Sequence, residues 1–444
     1  YFPGGRADPR YAGSCGDRIL WADVQPYCGR YRVWCESYGK PNLADWKVRL
    51  KGCTEKPVKK GRPEDQTKKV YWKAIQKPTG KIDETGYKGG ISTQNIIHQQ
   101  EKEVQEAEVM GNINGFIGTY ASEKSKGVYR FTFDTDSGTL GRPDLFYEAR
   151  DAKWVSLFQS TMAVPVAKDE RAGTCLLDIS EGKAEVLGEV LEEKHTPCYI
   201  LQDDTYVYTA NYHEGLVMIY EKRPRERDGL LLVKKIAVGH LAGCHQIIFH
   251  GTLMLVPCLM LDRILCFDRT ADFEKTGELI FPENSGPRHG VFNREHSKFW
   301  VVSERSNEVY CFSVKGESFH LMETLPILET LPLPDMLPVL EREACAAAAV
   351  RLSDDERFLY ISLRGADQIA VLKVDGEHME LVERVSSQGE HPRDFILSKD
   401  GQFLLTVNRN CGGLVSMKRD LDSGKIVKIT GRAEISQGVS VILE

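Results

Sequence analysis

The chain has 444 residues, 41% of them hydrophobic, and a formal net charge of −6, enough apolar content for a core larger than one small domain needs. A membrane-spanning role is set aside, because the longest apolar stretches, Gly251–Leu261 and Leu325–Leu340, are short or broken by Pro326, Pro332, Pro334 and Pro338, whereas a bilayer span needs ~20 apolar residues. The net charge conceals a division: residues 1–90 carry 19 Lys/Arg against 10 Asp/Glu, and the remainder 39 against 54, which predicts two units of different character.

The chain opens YFPGGRADPR, which lacks the apolar core of a secretory signal. Residues 1–55 are expected to form a small basic module of unknown fold, rich in cysteine and aromatic residues. Its Cys15, Cys28, Cys35 and Cys53 lie among Trp21, Tyr27, Tyr31, Trp34, Tyr38 and Trp46. No two of these cysteines have the two-residue spacing of a zinc ligand pair, so neither a metal nor a disulfide framework follows from them. The basic excess leaves room for a protein partner here. No nucleic-acid-binding motif is visible, and a solvated basic surface explains the charge. From Lys56 to Gly90 the composition turns to Lys, Pro, Gly and acidic residues, that of a linker. Ser92 and Thr93 then start a predicted surface helix running to Val109, with Glu101, Glu103 and Glu106 on its polar side.

Beyond Met110 one pattern recurs seven times: an apolar strand, a polar turn, a second alternating strand, a charged turn and a third strand. The copies begin at Asn114, Met162, Tyr206, Met254, Phe299, Phe358 and Phe403, roughly 40–60 residues apart. Within a copy the period is two, as where Val128, Arg130 and Thr132 alternate with Tyr129, Phe131 and Phe133. A further strand, often beginning near a proline, precedes the later copies, as in TPCYILQDD, GPRHGVFNREH and HPRDFILSKDG. Four strands per unit and seven units predict an all-β, seven-bladed propeller over residues 110–444. The last strand, Val439–Glu444, is placed to close the ring against Ile113–Tyr120. The segment Thr324–Leu340 reads as an insertion between blades five and six, either a lid over the channel mouth or a loop packed on blade edges. The remaining cysteines are scattered, several in strand-like runs (Cys258, Cys266, Cys311). There they behave as small hydrophobes, and this usage fits a reducing cytoplasm.

Four stretches carry a family resemblance: Gly118-Thr119-Tyr120, GPRH at Gly286–His289, FLYISLRGADQIAVL from Phe358, and HPRDFILSKDGQFLLTVN from His391. They resemble the lactonase-type seven-bladed propellers, which include propeller-type 6-phosphogluconolactonases and 3-carboxymuconate lactonizing enzymes. The resemblance covers residues 112–444 and implies a site at one mouth of the central channel, acting on a small anionic lactone. Polar residues at matching blade positions converge there. The candidates are His245, His289 and Glu304 for proton transfer, and Arg263, Arg288, Arg364 and Arg393 for the anion. Guanidinium groups bind phosphate or carboxylate bidentately and stay charged, while imidazoles titrate near neutrality. One departure stands out: Ala349 occupies a position that is commonly acidic in the family. Cys244, beside His245, has no partner at metal-ligand spacing, and neither a metal nor another cofactor is called for.

Three readings stay open at this point. The first is hydrolysis of a phosphorylated or carboxylated sugar-acid lactone. A lactonizing cycloisomerase on a muconate-type diacid would use the same cluster. A non-catalytic binding platform would use the propeller alone, and Ala349 leans that way.

Overall fold

The computed structural model describes residues 111–226, 228–328 and 345–444, together with the backbone of three strands near the N-terminus. The chain divides into two compact units, Tyr1–Glu106 and Ala107–Glu444. In the first, Leu20–Val24, Tyr31–Glu36 and Lys47–Leu50 form an antiparallel three-stranded sheet, with Trp21 opposite Trp34 and Cys35 opposite Val48. The predicted helix through Val109 and Cys15, Cys28 and Cys53 fall outside the described residues, as do the side chains of that sheet.

The second unit consists of seven antiparallel four-stranded sheets, each in meander order, making a seven-bladed β-propeller. The second strands of the blades are Asn112–Thr119, Thr161–Lys168, Tyr206–Asn211, Leu253–Cys258, Lys298–Ser303, Phe358–Arg364 and Phe403–Cys411. These coincide with the seven copies read from the sequence. The innermost strand of blade 1 is Gly438–Leu443, which pairs with Asn112–Thr119 through Val441 opposite Ile117 and Ile442 opposite Phe116. The C-terminal strand therefore closes the ring.

Burial explains why the copies were legible. The second strands lie between two neighbouring blades and are covered on both faces, so Leu253–Cys258 and Phe358–Arg364 are buried at every residue and read as continuous apolar runs. The outermost strands keep one face in water, and Leu230–Ala237 shows the resulting alternation. Apolar clusters fill each inter-blade space. Between blades 5 and 6, Trp300, Val302, Val309 and Cys311 meet Leu359, Ile361, Ala370 and Leu372, all essentially excluded from solvent. Truncating any one aliphatic member of such a cluster costs roughly 2–5 kcal/mol. The turns entering the second strands are held alike: Ser353 Oγ accepts from the Phe358 amide and Ser398 Oγ from the Phe403 amide, at 3.0 and 2.9 Å.

The expected insertion starts later than its sequence placed it. Thr324–Pro326 belongs to the outermost strand of blade 5, Ser318–Pro326, and Ile327 is buried against blade 6. The rest of that segment, residues 329–340, lies outside the described residues. Among those described, the only helix is a single 3-10 turn, Leu259–Leu261, and none is long and apolar enough to cross a membrane.

Candidate active site

Two levels of side chains surround the channel at one end, and strand register shows which residues share a level. His289 faces Val302 across blade 5, Asp394 faces Val407 across blade 7, and Tyr199 faces Ala210 across blade 3. The residues just before them, Arg288, Arg393 and Cys198, therefore stand at one height. On the second strands the rim position falls to Glu304, Arg409 and Tyr212. The same register puts Arg364 at the rim of blade 6 and Tyr120 at the rim of blade 1. Glycines let the backbones approach here. At Gly118 a Cβ would lie 2.8 Å from the Ala152 carbonyl oxygen and the same from the Lys153 carbonyl carbon. Gly286 has φ of 68° and opens the turn into Arg288. Asp262 secures that turn by accepting the Asn284 and Gly286 amides, both at 2.8 Å.

Arg288 is the largest fully buried side chain, 1% exposed. Its Nε lies 2.8 Å from Glu304 Oε2, and its Nη1 donates to the Ala348 carbonyl at 2.5 Å. Arg364 Nη2 lies 2.7 Å from the same Glu304 oxygen, and the guanidinium also donates to the Ala346 and Ala347 carbonyls. One carboxylate thus serves two buried guanidiniums. Burial alone would raise the Glu304 carboxyl, but Arg364, Arg288 and Arg393 outweigh it and hold the group below the usual range. Burial and the neighbouring Arg364 pull Arg288 down to about 9 against the pull of Glu304, which leaves it charged at neutral pH.

The histidines answer to the same field. Burial, then the charges of Arg288, Arg393 and Arg364, push the His245 imidazole well below its ordinary value, and burial and Arg288 do the same to His289. Both are neutral at pH 7. Their rings meet edge to face at 5.1 Å, and His289 packs against Trp154 and Tyr199. Arg288 Nη1 lies 3.4 Å from His289 Nε2. Since a guanidinium only donates, that nitrogen is the acceptor and the His289 proton sits on Nδ1. Nδ1 of His245 is sealed from solvent without a partner.

The structure brings His245, His289, Glu304, Arg288, Arg364 and Arg393 together. Arg263 is a correction. It begins the third strand of blade 4, Arg263–Asp268, where it pairs with Glu278 on the outermost strand, its side chain 44% exposed. The turn Leu259–Leu261 and Asp262 intervene after the second strand, so Leu259 takes the rim position of blade 4 and Arg263 is carried past it. Ala349 faces the space between blades 6 and 7 among Tyr360, Val371 and Phe395, its amide donating to Ser362 Oγ at 3.0 Å. A carboxylate there would be buried in an apolar cluster, and Glu304 is the carboxylate that meets the arginines. Sequence reasoning missed Tyr120, Lys153, Arg409 and His391. Aligning the blades by register would have found the first three, since Lys153 precedes the innermost strand of blade 2 and the other two hold rim positions. His391 Nε2 is buried without a partner, and burial together with Arg364 and Arg393 brings its ring down to about 4. No group of three or more His, Cys, Asp or Glu placed to hold a metal ion occurs among the described residues.

Comparison with known proteins agrees with this architecture. Residues 114–443 match the family model described as lactonase, 7-bladed beta-propeller. An uncharacterized Staphylococcus aureus protein is 29% identical over 353 residues, covering 74% of this chain and 99% of its own length. Among solved structures, a Lactobacillus plantarum protein matches with a TM-score of 0.67 at 24% identity, and the periplasmic gluconolactonase of Pseudomonas aeruginosa with 0.65 at 23%. Each alignment covers 75% of this chain and 99% of the other.

Proposed function

Because the chain belongs to the lactonase family of seven-bladed β-propellers, we propose that it hydrolyses a small lactone bearing an anionic group at this channel mouth. The observation that carries the proposal is a neutral imidazole, His245, set edge to face with His289 at 5.1 Å and held among the charges of Arg288, Arg393 and Arg364. A neutral imidazole is a base at pH 7, and nearby guanidiniums stabilise the negative charge that develops when water adds to an ester carbonyl. In this reading His245 Nε2 takes a proton from the attacking water. Arg288 and Arg364 face the oxyanion, and Glu304 fixes both guanidiniums in place. Glu304 is then a positioning residue, since a carboxyl held ionised by two arginines is a poor proton donor. A purely structural platform gives no reason to bury three partnerless imidazole nitrogens, of His245, His289 and His391, beside three arginines, a desolvation cost that an active site offsets through ligand and transition-state contacts.

The test is acid release from freshly generated 6-phosphogluconolactone, followed by pH-stat against the spontaneous rate. His245→Gln is expected to lower kcat by about 10²–10⁴, and Arg288→Ala and His289→Ala should abolish the acceleration. If the intact chain gives no acceleration on this or on unphosphorylated gluconolactone, the hydrolase reading fails, and muconate-type lactones become the next substrates.

A further inference from the structure

The mouth holds five cationic side chains, and they are not equivalent. Arg288 and Arg364 are engaged by Glu304. Lys153, Arg393 and Arg409 meet no carboxylate within 4 Å among the described residues, and all three gather round one aromatic ring. Their cationic centres lie 5.4, 5.7 and 4.5 Å from the centroid of Tyr120. Lys153 is 5% exposed, and its ammonium has no hydrogen bond from the described residues. Among those residues, the only hydrogen bond of the Arg409 guanidinium goes to Gln437 Oε1, at 3.0 Å. His391, whose buried Nε2 is also unpartnered, is within the electrostatic reach of Arg393 and Arg409.

Three like charges gathered round one ring repel one another, a cost that a bound anion would remove. The Tyr120 face offsets part of that cost through cation–π attraction, but it supplies no acceptor for the donors. We propose that Lys153, Arg393 and Arg409, arrayed on Tyr120, are the subsite for a phosphate monoester dianion. This subsite would grip the charged tail of the ligand, while His245 and the Glu304-bound arginines face its reacting end. The proposal rests on the lactone reading above and divides the mouth in two, with the anion on blades 7, 1 and 2 and the chemistry on blades 4 to 6. It also moves the anion-binding role away from Arg288 and Arg364, whose charge is already shared with Glu304. Phosphate fits better than carboxylate for a reason of count. A phosphate monoester brings a charge of about −1.5 to −2 at pH 7 and three acceptor oxygens, whereas one carboxylate would leave two of the three cations uncompensated.

The experiment is calorimetric binding of 6-phosphogluconate and of gluconate to the full chain. Neither acid is turned over, so the result does not depend on hydrolysis. 6-Phosphogluconate is expected to bind at least tenfold more tightly. Lys153→Met and Arg409→Met should each weaken it by about ten- to a hundredfold, the loss of one charge-assisted hydrogen bond, and Arg409→Lys should restore part of that loss. Arg409 is half-buried at the rim and serves as the second variant should Lys153→Met fail to fold. Equal affinity for the two acids, binding of neither, or equal loss of both in the variants overturns the subsite. Phosphate selectivity without lactone hydrolysis would overturn the catalytic reading and leave the subsite standing.

Discussion

Glu304→Gln isolates the feature on which the mouth depends. The substitution keeps the shape of the side chain and one carbonyl oxygen but removes the charge that Arg288 Nε and Arg364 Nη2 share at 2.8 and 2.7 Å. Both guanidiniums are almost wholly buried, and Arg393 already adds repulsion. Breaking a buried pair from one side typically costs about 3–5 kcal/mol, because the remaining charge is left without compensation. With an unfolding entropy of ~2.1 cal/mol/K per residue, a propeller of roughly 330 residues has about 0.7 kcal/mol/K at its midpoint, so the expected fall in Tm is about 4–7 °C. Differential scanning calorimetry at low ionic strength, without phosphate or sulfate, measures it. Adding phosphate should recover part of the loss by supplying the missing negative charge. Combining Glu304→Gln with Arg288→Met should also recover part of it, since one stranded cation is then gone. A fall below about 1 °C, with no response to phosphate, would refute the argument that Glu304 compensates these arginines.

Three further outcomes follow from other parts of the structure. His391 is depressed to about 4, so the unfolded chain binds an extra proton there below about pH 6.5, and the folded state loses stability as pH falls from 6.5 toward 4. His391→Asn should therefore gain stability relative to the parent across that window, on the order of 0.5–1 kcal/mol per pH unit after allowing for the half-exposed ring; urea midpoints at pH 7, 6 and 5 would show no trend if the ring is not depressed. Ala349→Glu should destabilise the protein by at least about 2 kcal/mol and fail to raise activity, since the new carboxyl would enter the cluster of Tyr360, Val371 and Phe395; a thermal melt and a rate on the same lactone decide it. Arg263→Gln should change stability by less than about 1 kcal/mol, as its ion pair with Glu278 is solvent-exposed, and should leave hydrolysis unaltered; a large loss of rate would return Arg263 to the site.

The blade count was legible because sheets sandwiched between sheets demand apolar strands, and that demand repeats with the blades. The arginines and histidine of GPRH and HPRD were legible because a glycine or proline turn marks the start of the innermost strand. Where that mark was absent, the reading lost its footing. Lys153 lies in DAKW, with no proline beside it, yet register places it on the blade 2 counterpart of Arg288 and Arg393. Tyr120 stands in the Gly118-Thr119-Tyr120 motif, but an aromatic ring is informative only when three cations are seen around it. Arg263 failed the other way: LDR resembles SER and SLR in sequence, but one extra turn carries it past the mouth. The family's acidic residue at Ala349 was sought at one strand position, whereas charge balance needs only a carboxylate within reach, and Glu304 provides it from the neighbouring blade.

Ring closure bears on how this protein is made. Asn114 Nδ2 donates to Glu444 Oε2 at 2.8 Å across 330 residues of chain, and the strand Gly438–Leu443 fills the innermost place of the first blade to be synthesised. During translation blade 1 therefore waits with the edge of Asn112–Thr119 open until the final strand leaves the ribosome. An open strand edge is a template for pairing with another chain, so a stalled or truncated product would be prone to aggregate. Lys153, packed beneath Gly118 of that first blade, would reach its final surroundings only after Gly438–Leu443 has been made, so a nascent chain short of that strand would not yet present a finished channel mouth.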